Sequence, residues 1–132
     1  RDLRRGGDAE RGTPLVQLTI EIPDESVLLS DFDEWTYPLS FWYLPLTEQE
    51  NKEFEAEYEK DGFDFQDMIN LRISDRRMEK YHERIIQSWQ RIFDIWKEAT
   101  YSGYPLDQKS IQATFWELRI DQVLKVEHFI AK

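Results

Sequence analysis

From Pro14 onward, apolar residues recur at every second position: Val16, Leu18, Ile20 and Ile22 alternate with Gln17, Thr19 and Glu21. A period of two predicts a half-buried strand, closed here by the turn at Pro23-Asp24. Val27-Leu28-Leu29 predicts a second strand or a sheet edge. The spacing then lengthens. Trp35, Leu39 and Trp42 fall at helical intervals behind Ser30-Asp31-Phe32-Asp33, where Ser30 or Asp31 can accept the first free N–H groups. Pro38 lacks a donor and crowds the preceding turn, so this helix should kink or end early.

Thr47 followed by Glu50 reads as a capping box for a helix running to about Asp61, with Gly62 as its terminator. Its apolar stripe holds only Phe54 and Tyr58 among seven acidic residues and two lysines. Such a narrow stripe predicts a peripheral, solvated helix. Residues 61–71 form a turn-rich connection with room for one helical turn. The strongest signal follows. Ser74 is expected to cap a continuous helix from Asp75 to Glu98, whose Met78, Tyr81, Ile85, Ile86, Trp89, Ile92, Phe93 and Trp96 share one arc of about 140°. After Tyr101-Ser102-Gly103-Tyr104-Pro105, residues 111–120 alternate with apolar side chains on both faces, which predicts a central strand. Leu124, Val126, His128 and Ile130 predict the last one.

Strands, helices, then strands give an α+β class: a small mixed or antiparallel sheet packed on one long amphipathic helix, with a peripheral acidic helix. Residues 1–13, with four Arg and three of the five Gly, read as a flexible basic lead-in, and 14–132 as one domain.

Composition narrows the classes. Forty per cent apolar and fourteen per cent aromatic residues in 132 describe a chain that folds rather than a disordered one. Without cysteine, disulfide and thiolate chemistry are excluded, and a reducing compartment fits. No apolar run reaches membrane-span length and no signal pattern opens the chain, so a cytoplasmic location is expected. The net charge of −10 repels nucleic acid and anionic membrane. It leaves plain solubility, or attraction of a basic protein partner, of which a nucleic-acid mimic is the extreme form.

Chemistry is sparsely signalled. There is no phosphate-cradling glycine loop, no nucleophile elbow and no paired-histidine zinc motif. Two His and no Cys cannot make an ordinary zinc site, so no metal is expected, although many carboxylates leave an oxygen-ligand site open. His82 falls inside the apolar arc, either as a hydrogen-bonded core residue or as a base held in a pocket. His128 stands likewise on the apolar face of the last strand. Glu117 would share a strand face with Ile111, Ala113 and Phe115, where a carboxylate must find a partner, reach solvent or carry a raised pKa. Arg119, on the same face, offers a plain ion pair. Because perturbed groups gather at sites, Glu117 is also the candidate catalytic carboxylate. Trp35, Trp116 and His82 are the candidate binding residues.

Three stretches together carry a resemblance: Val27-Leu28-Leu29-Ser30-Asp31-Phe32-Asp33 with Trp35, Ser88-Trp89-Gln90-Arg91-Ile92-Phe93-Asp94, and Ser110-Ile111-Gln112-Ala113-Thr114-Phe115-Trp116-Glu117-Leu118. From about Thr13 onward the chain resembles a bacterial domain-of-unknown-function family of small cytoplasmic proteins. The resemblance implies no activity and no catalytic residues. Its members carry a further Trp/Tyr-rich N-terminal segment ahead of the basic lead-in, so a site shared with that segment would be incomplete here. Pro38 departs from the family, where a helix former is expected. Gln112 and Glu117 are also similar in type to the late-strand pair of ADP-ribosyltransferase-like toxin folds, though their spacing differs. The expected function is a non-catalytic protein-interaction module with no cofactor. The alternative is a nucleotide-dependent transferase using Glu117, with Gln112 nearby and NAD as cofactor.

Overall fold

Which alternating segments become strands depends on which find a partner. The computed structural model describes residues 9–97 and 105–131, and its class is α+β. Among the described residues, four strands form two separate two-stranded ladders rather than one sheet. Contacts gather the chain into a smaller unit, residues 1–27 with 114–132, and a larger one, residues 28–113.

In the smaller unit, β1 (Pro14–Ile20) pairs antiparallel with β4 (Val123–Ile130), in the register Leu15↔Phe129, Val16↔His128 and Leu18↔Val126, with an irregularity between Thr19 and Ile20. Gly12, at a φ of 92° that suits a residue without Cβ, helps turn the chain where its N–H reaches the Ala131 carbonyl at 2.9 Å. Val16, Leu18, Val126 and Ile130 stay exposed along one face of this ribbon, as does His128.

In the larger unit, β2 (Leu28–Asp31) bonds to β3 (Ile111–Thr114). The expected strand over 111–120 is corrected: it stops at Thr114, and Trp116 is 102% exposed. Apolar residues on both faces suggested a central strand, but no second partner strand pairs with this one among the described residues. As predicted at Pro38, the first helix is short. A single 3₁₀ turn, Asp33–Trp35, leads into α1 (Thr36–Ser40), which leaves Trp42 outside. Asp31 Oδ1 accepts the Asp33 N–H at 3.1 Å.

Helix α2 (Glu48–Lys60) starts where Thr47 accepts the Glu50 N–H and ends before Gly62, whose φ is 86°. Its stripe is as narrow as expected and most of the helix's residues are exposed, while that stripe seals the core. Phe54 and Tyr58, each 4% exposed, join Tyr43, Met68, Leu71, Met78, Tyr81 and Ile85 in the main core. Helix α3 (Phe65–Ile69) begins on a reciprocal Asp64–Asp67 capping box.

The long helical stretch runs from Arg76 to Phe93 as three consecutive pieces: a 3₁₀ turn over Arg76–Met78, α4 (Glu79–Ser88) and a second 3₁₀ run over Trp89–Phe93. Asp75 rather than Ser74 caps it, accepting the Arg77 N–H. Because the pitch tightens from 3.6 to three residues per turn, a single helical wheel no longer describes the residues beyond Ser88. Of the predicted arc, Met78, Tyr81, Ile85 and Ile92 are buried, whereas Ile86 is exposed and Trp96, past the end of the stretch, is 79% exposed. Residues 1–8 of the expected lead-in, the expected helix end at Glu98 and the turn from Tyr101 to Tyr104 lie outside the described residues. No helix of the described residues is long and apolar enough to cross a membrane.

Candidate functional site

The site begins with a backbone conformation that its residue resists. Helix α1 closes with the Phe41 N–H on the Pro38 carbonyl at 3.3 Å and the Trp42 N–H on the Tyr37 carbonyl at 2.8 Å. This closure needs a left-handed residue, normally glycine. Phe41 occupies it at φ 57°, ψ 39°, at a cost of about 1–2 kcal/mol for a residue with a Cβ. What holds it there is its ring. The phenyl group meets the His82 imidazole edge-on at 5.2 Å and the Trp89 indole at 5.4 Å. Trp89 Nε1 donates to the Trp42 carbonyl at 2.8 Å, and Trp42 Nε1 donates to the Ile69 carbonyl at 3.3 Å. The segment leaving α1 is thus clipped to both α3 and the end of α4.

Beyond Phe41 the chain crosses α2. Tyr43 stacks on Phe54 with centroids 4.2 Å apart, and Phe54 presents its edge to Tyr58 at 5.7 Å and to Tyr81 at 5.8 Å. Between these walls lies a cavity of about 220 Å³. Tyr37, Phe41, Trp42 and Tyr43 line one side, and Phe54 and Tyr58 of α2 another. Phe65, Met68 and Ile69 of α3 close it from a third, with Ile85 beneath. Two polar side chains enter the lining, Asn51 and Glu55, one turn apart on α2. Asn51 Nδ2 donates to Glu55 Oε1 at 2.7 Å. Among the described lining residues Glu55 is the only charged one.

An ionic cluster keeps the walls in place. Arg91 grips Glu50 with both guanidinium nitrogens, at 3.0 and 2.6 Å, and also donates to the Leu44 carbonyl at 2.6 Å. The Tyr43 hydroxyl donates to Glu50 as well, and the Leu46 N–H reaches its other oxygen at 2.8 Å. Burial alone would raise the Glu50 pKa, but these donors outweigh it and hold the carboxyl at about 2. Burial, reinforced by the bond to Glu50, pushes the Tyr43 phenol up. Arg84 lies 4.9 Å from the Phe54 ring centre and 5.1 Å from that of Tyr43, and pairs with Glu57 at 2.6 Å. Ser88, 4% exposed, accepts the Leu44 N–H at 2.9 Å and donates to the Ile85 carbonyl.

The residues singled out from sequence lie mostly elsewhere. His82 comes nearest: it backs Phe41 from outside the cavity, and its Nε2 is buried without a hydrogen-bond partner. Trp35 is half-buried, donating to Ser30 Oγ at 3.0 Å and packing edge-on against Phe93 at 6.4 Å. It borders a buried polar group in which Glu34 pairs with Lys97 at 2.6 Å and Asp31 with Lys109 at 3.2 Å. Gln112 lies in β3 of the larger unit. Glu117 and Trp116 follow the strand in the smaller unit, both exposed, with Glu117 on the rim of a shallow polar hollow shared with Glu21, Asp24 and Arg119. The expected Glu117–Arg119 pair is corrected: Arg119 pairs instead with Asp121, at 3.1 Å. Among the described residues no three His, Asp or Glu side chains gather as a metal-holding group.

Sequence reasoning missed Phe41, Trp42, Asn51 and Glu55. The latter two carried a signal, since positions 51 and 55 flank the Phe54–Tyr58 stripe at i and i+4. Phe41 carried none, because nothing in a local sequence marks a phenylalanine for the left-handed region.

The model of the family described as a domain of unknown function (DUF3841) matches residues 3–124. No curated protein and no solved structure matches the chain.

Proposed function

We propose, from the premise that the chain belongs to the DUF3841 family, that it is a non-catalytic binding module holding a group of its partner in the aromatic cavity of the larger unit. One observation carries this reading: seven aromatic side chains converge on a single concave space, with one amide and one carboxylate placed among them. Few polar groups set into an apolar, concave wall are the usual form of a recognition site. The strained Phe41 supports it, because backbone strain persists where surrounding structure over-determines it, often at binding clamps. The lining offers no Ser, Thr, Lys or His that could serve beside Glu55 as nucleophile or base. At about 220 Å³ the cavity suits one side chain or headgroup, smaller than the usual range for whole cofactors of about 300–1,000 Å³.

The test is a screen of amino-acid side-chain analogues by amide chemical-shift mapping. Hits should move resonances of residues 41–45 and 51–58. Hits confined to other surfaces, or none at millimolar concentration, would refute the cavity as the site.

A further inference from the structure

We infer that the group taken into this cavity is the guanidinium of an arginine carried on a basic polypeptide partner; the inference rests on the binding reading above. Four observations point to this one chemistry.

The first is the wall. The faces of Tyr and Trp rings carry negative quadrupole potential, so a cavity built from them favours a cation over a neutral group of equal size. Tyr37, Trp42, Tyr43 and Tyr58 all contribute to it. The second is the charge within the wall. Glu55 is the only charged residue among the described lining residues, and Asn51 holds its Oε1 at 2.7 Å. Its Oε2 accepts no hydrogen bond from a described residue, which leaves one carboxylate oxygen for an incoming donor. A planar guanidinium can lie along a ring and donate sideways to that oxygen, and it sheds water more readily than an ammonium.

The third observation is that the same rings already serve a guanidinium. Arg84 sits within 5.1 Å of the Tyr43 and Phe54 centroids, and its own charge is met by Glu57. The local potential therefore tolerates a guanidinium, with a carboxylate for company. The fourth is the surrounding field. Glu48, Glu53, Glu57 and Glu59 are exposed on the same helix that carries Glu55, and the chain as a whole holds −10. Opposite charge around a pocket steers and registers a basic segment rather than a lone small cation. The cavity volume matches one inserted side chain, with flanking residues left outside against that helix.

Citrulline supplies the decisive comparison, because it replaces the guanidinium by a neutral urea of nearly the same shape. Capped peptides with a central arginine, citrulline or lysine between flanking lysines are titrated against the whole chain, followed by Trp fluorescence and amide shift mapping, at low and moderate salt. Expected is arginine binding at residues 41–45 and 51–58 at least tenfold tighter than citrulline and several-fold tighter than lysine, weakening as salt rises. Glu55→Gln should cost the arginine peptide about tenfold while leaving the citrulline peptide unchanged, with an unchanged melting temperature showing that the variant folds. Equal binding of arginine and citrulline at the cavity would overturn the cation but leave the binding site standing. Binding of none of the peptides there, with the side-chain screen also silent, would remove both. Displacement of the arginine peptide by tetramethylammonium at concentrations well below the peptide's own would overturn the polypeptide partner in favour of a small quaternary ligand.

Discussion

Replacing Glu50 by Gln tests the ionic clamp beneath the cavity, and its size follows from the structure. In the folded chain the carboxyl titrates at about 2, against 4.5 for the free group. Each pKa unit corresponds to about 1.4 kcal/mol, so the anion contributes at most about 3.5 kcal/mol to stability. Both partners are more than two-thirds buried, Glu50 at 23% and Arg91 at 29% side-chain exposure, so solvent screening trims that figure only modestly. The sign is fixed by the depressed value. The stabilisation is fully present above about pH 5, where the carboxyl is ionised in both states, and drains away as pH falls from there toward 2. Glu50→Gln should therefore cost about 2–3 kcal/mol at pH 7, a melting-temperature loss of roughly 10 °C. The difference between variant and parent should shrink steadily below pH 5 and fall under about 1 kcal/mol near pH 2.5. Urea or thermal denaturation of both proteins at pH 7, 5, 4 and 3 measures it. Because the other carboxylates titrate equally in the two chains, the difference isolates Glu50. A gap that stays constant with pH, or no loss at pH 7, would refute the assignment of this clamp to the ionised carboxylate.

Other outcomes follow from the same geometry. Phe41→Gly should be more stable than Phe41→Ala by about 1 kcal/mol, the reverse of the usual order, because glycine relieves the left-handed strain while both lose the ring; matched melting curves decide it. Ser88→Ala should lose about 1–3 kcal/mol in chemical denaturation, since the Leu44 N–H is left buried without an acceptor. Lys97→Met should cost about 3–5 kcal/mol by stranding Glu34, whose side chain is 5% exposed, and Glu34→Gln in the same chain should recover part of that loss. Trp116→Ser should change stability by no more than about 0.5 kcal/mol, as the side chain touches nothing it could lose.

Strand-forming alternation was legible where a partner strand exists. The alternations at residues 16–20 and 124–130 became β1 and β4 by pairing with each other, although the apolar face they share, with Val16, Leu18, Leu124, Val126 and Ile130, stays exposed. Thr47, Gly62 and Pro38 acted as punctuation as their chemistry requires. Two kinds of feature stayed hidden. A helical wheel assumes one pitch throughout, so the switch to 3₁₀ after Ser88 could not be seen. Its hydroxyl, bonded both to Ile85 of the preceding turn and to Leu44 from another part of the chain, marks that switch only in three dimensions. Likewise the apolar pattern at 115–120 reports hydrophobicity, not whether a neighbouring strand exists to pair with it. The cavity lay further out of reach, since its lining is drawn from residues 37 to 85 on four elements. Glu117, chosen because a strand would have confined it, is exposed once the strand ends three residues earlier.

The ribbon of β1 and β4 joins residues that lie more than a hundred positions apart, as Pro14 meets Ile130. Bringing such distant stretches together from an unfolded chain is slow and entropically costly. The larger unit changes that arithmetic, because its own first and last strands bond to each other and return the chain to where it left. Once it has formed, the span left to close is a few tens of residues at most, an entropic gain on the order of 1–2 kcal/mol. The ribbon should therefore assemble last and let go first, its tenure set by the persistence of a region with which it shares no strand. Hydrogen exchange would register this as amides of β1 and β4 opening whenever the larger unit is weakened.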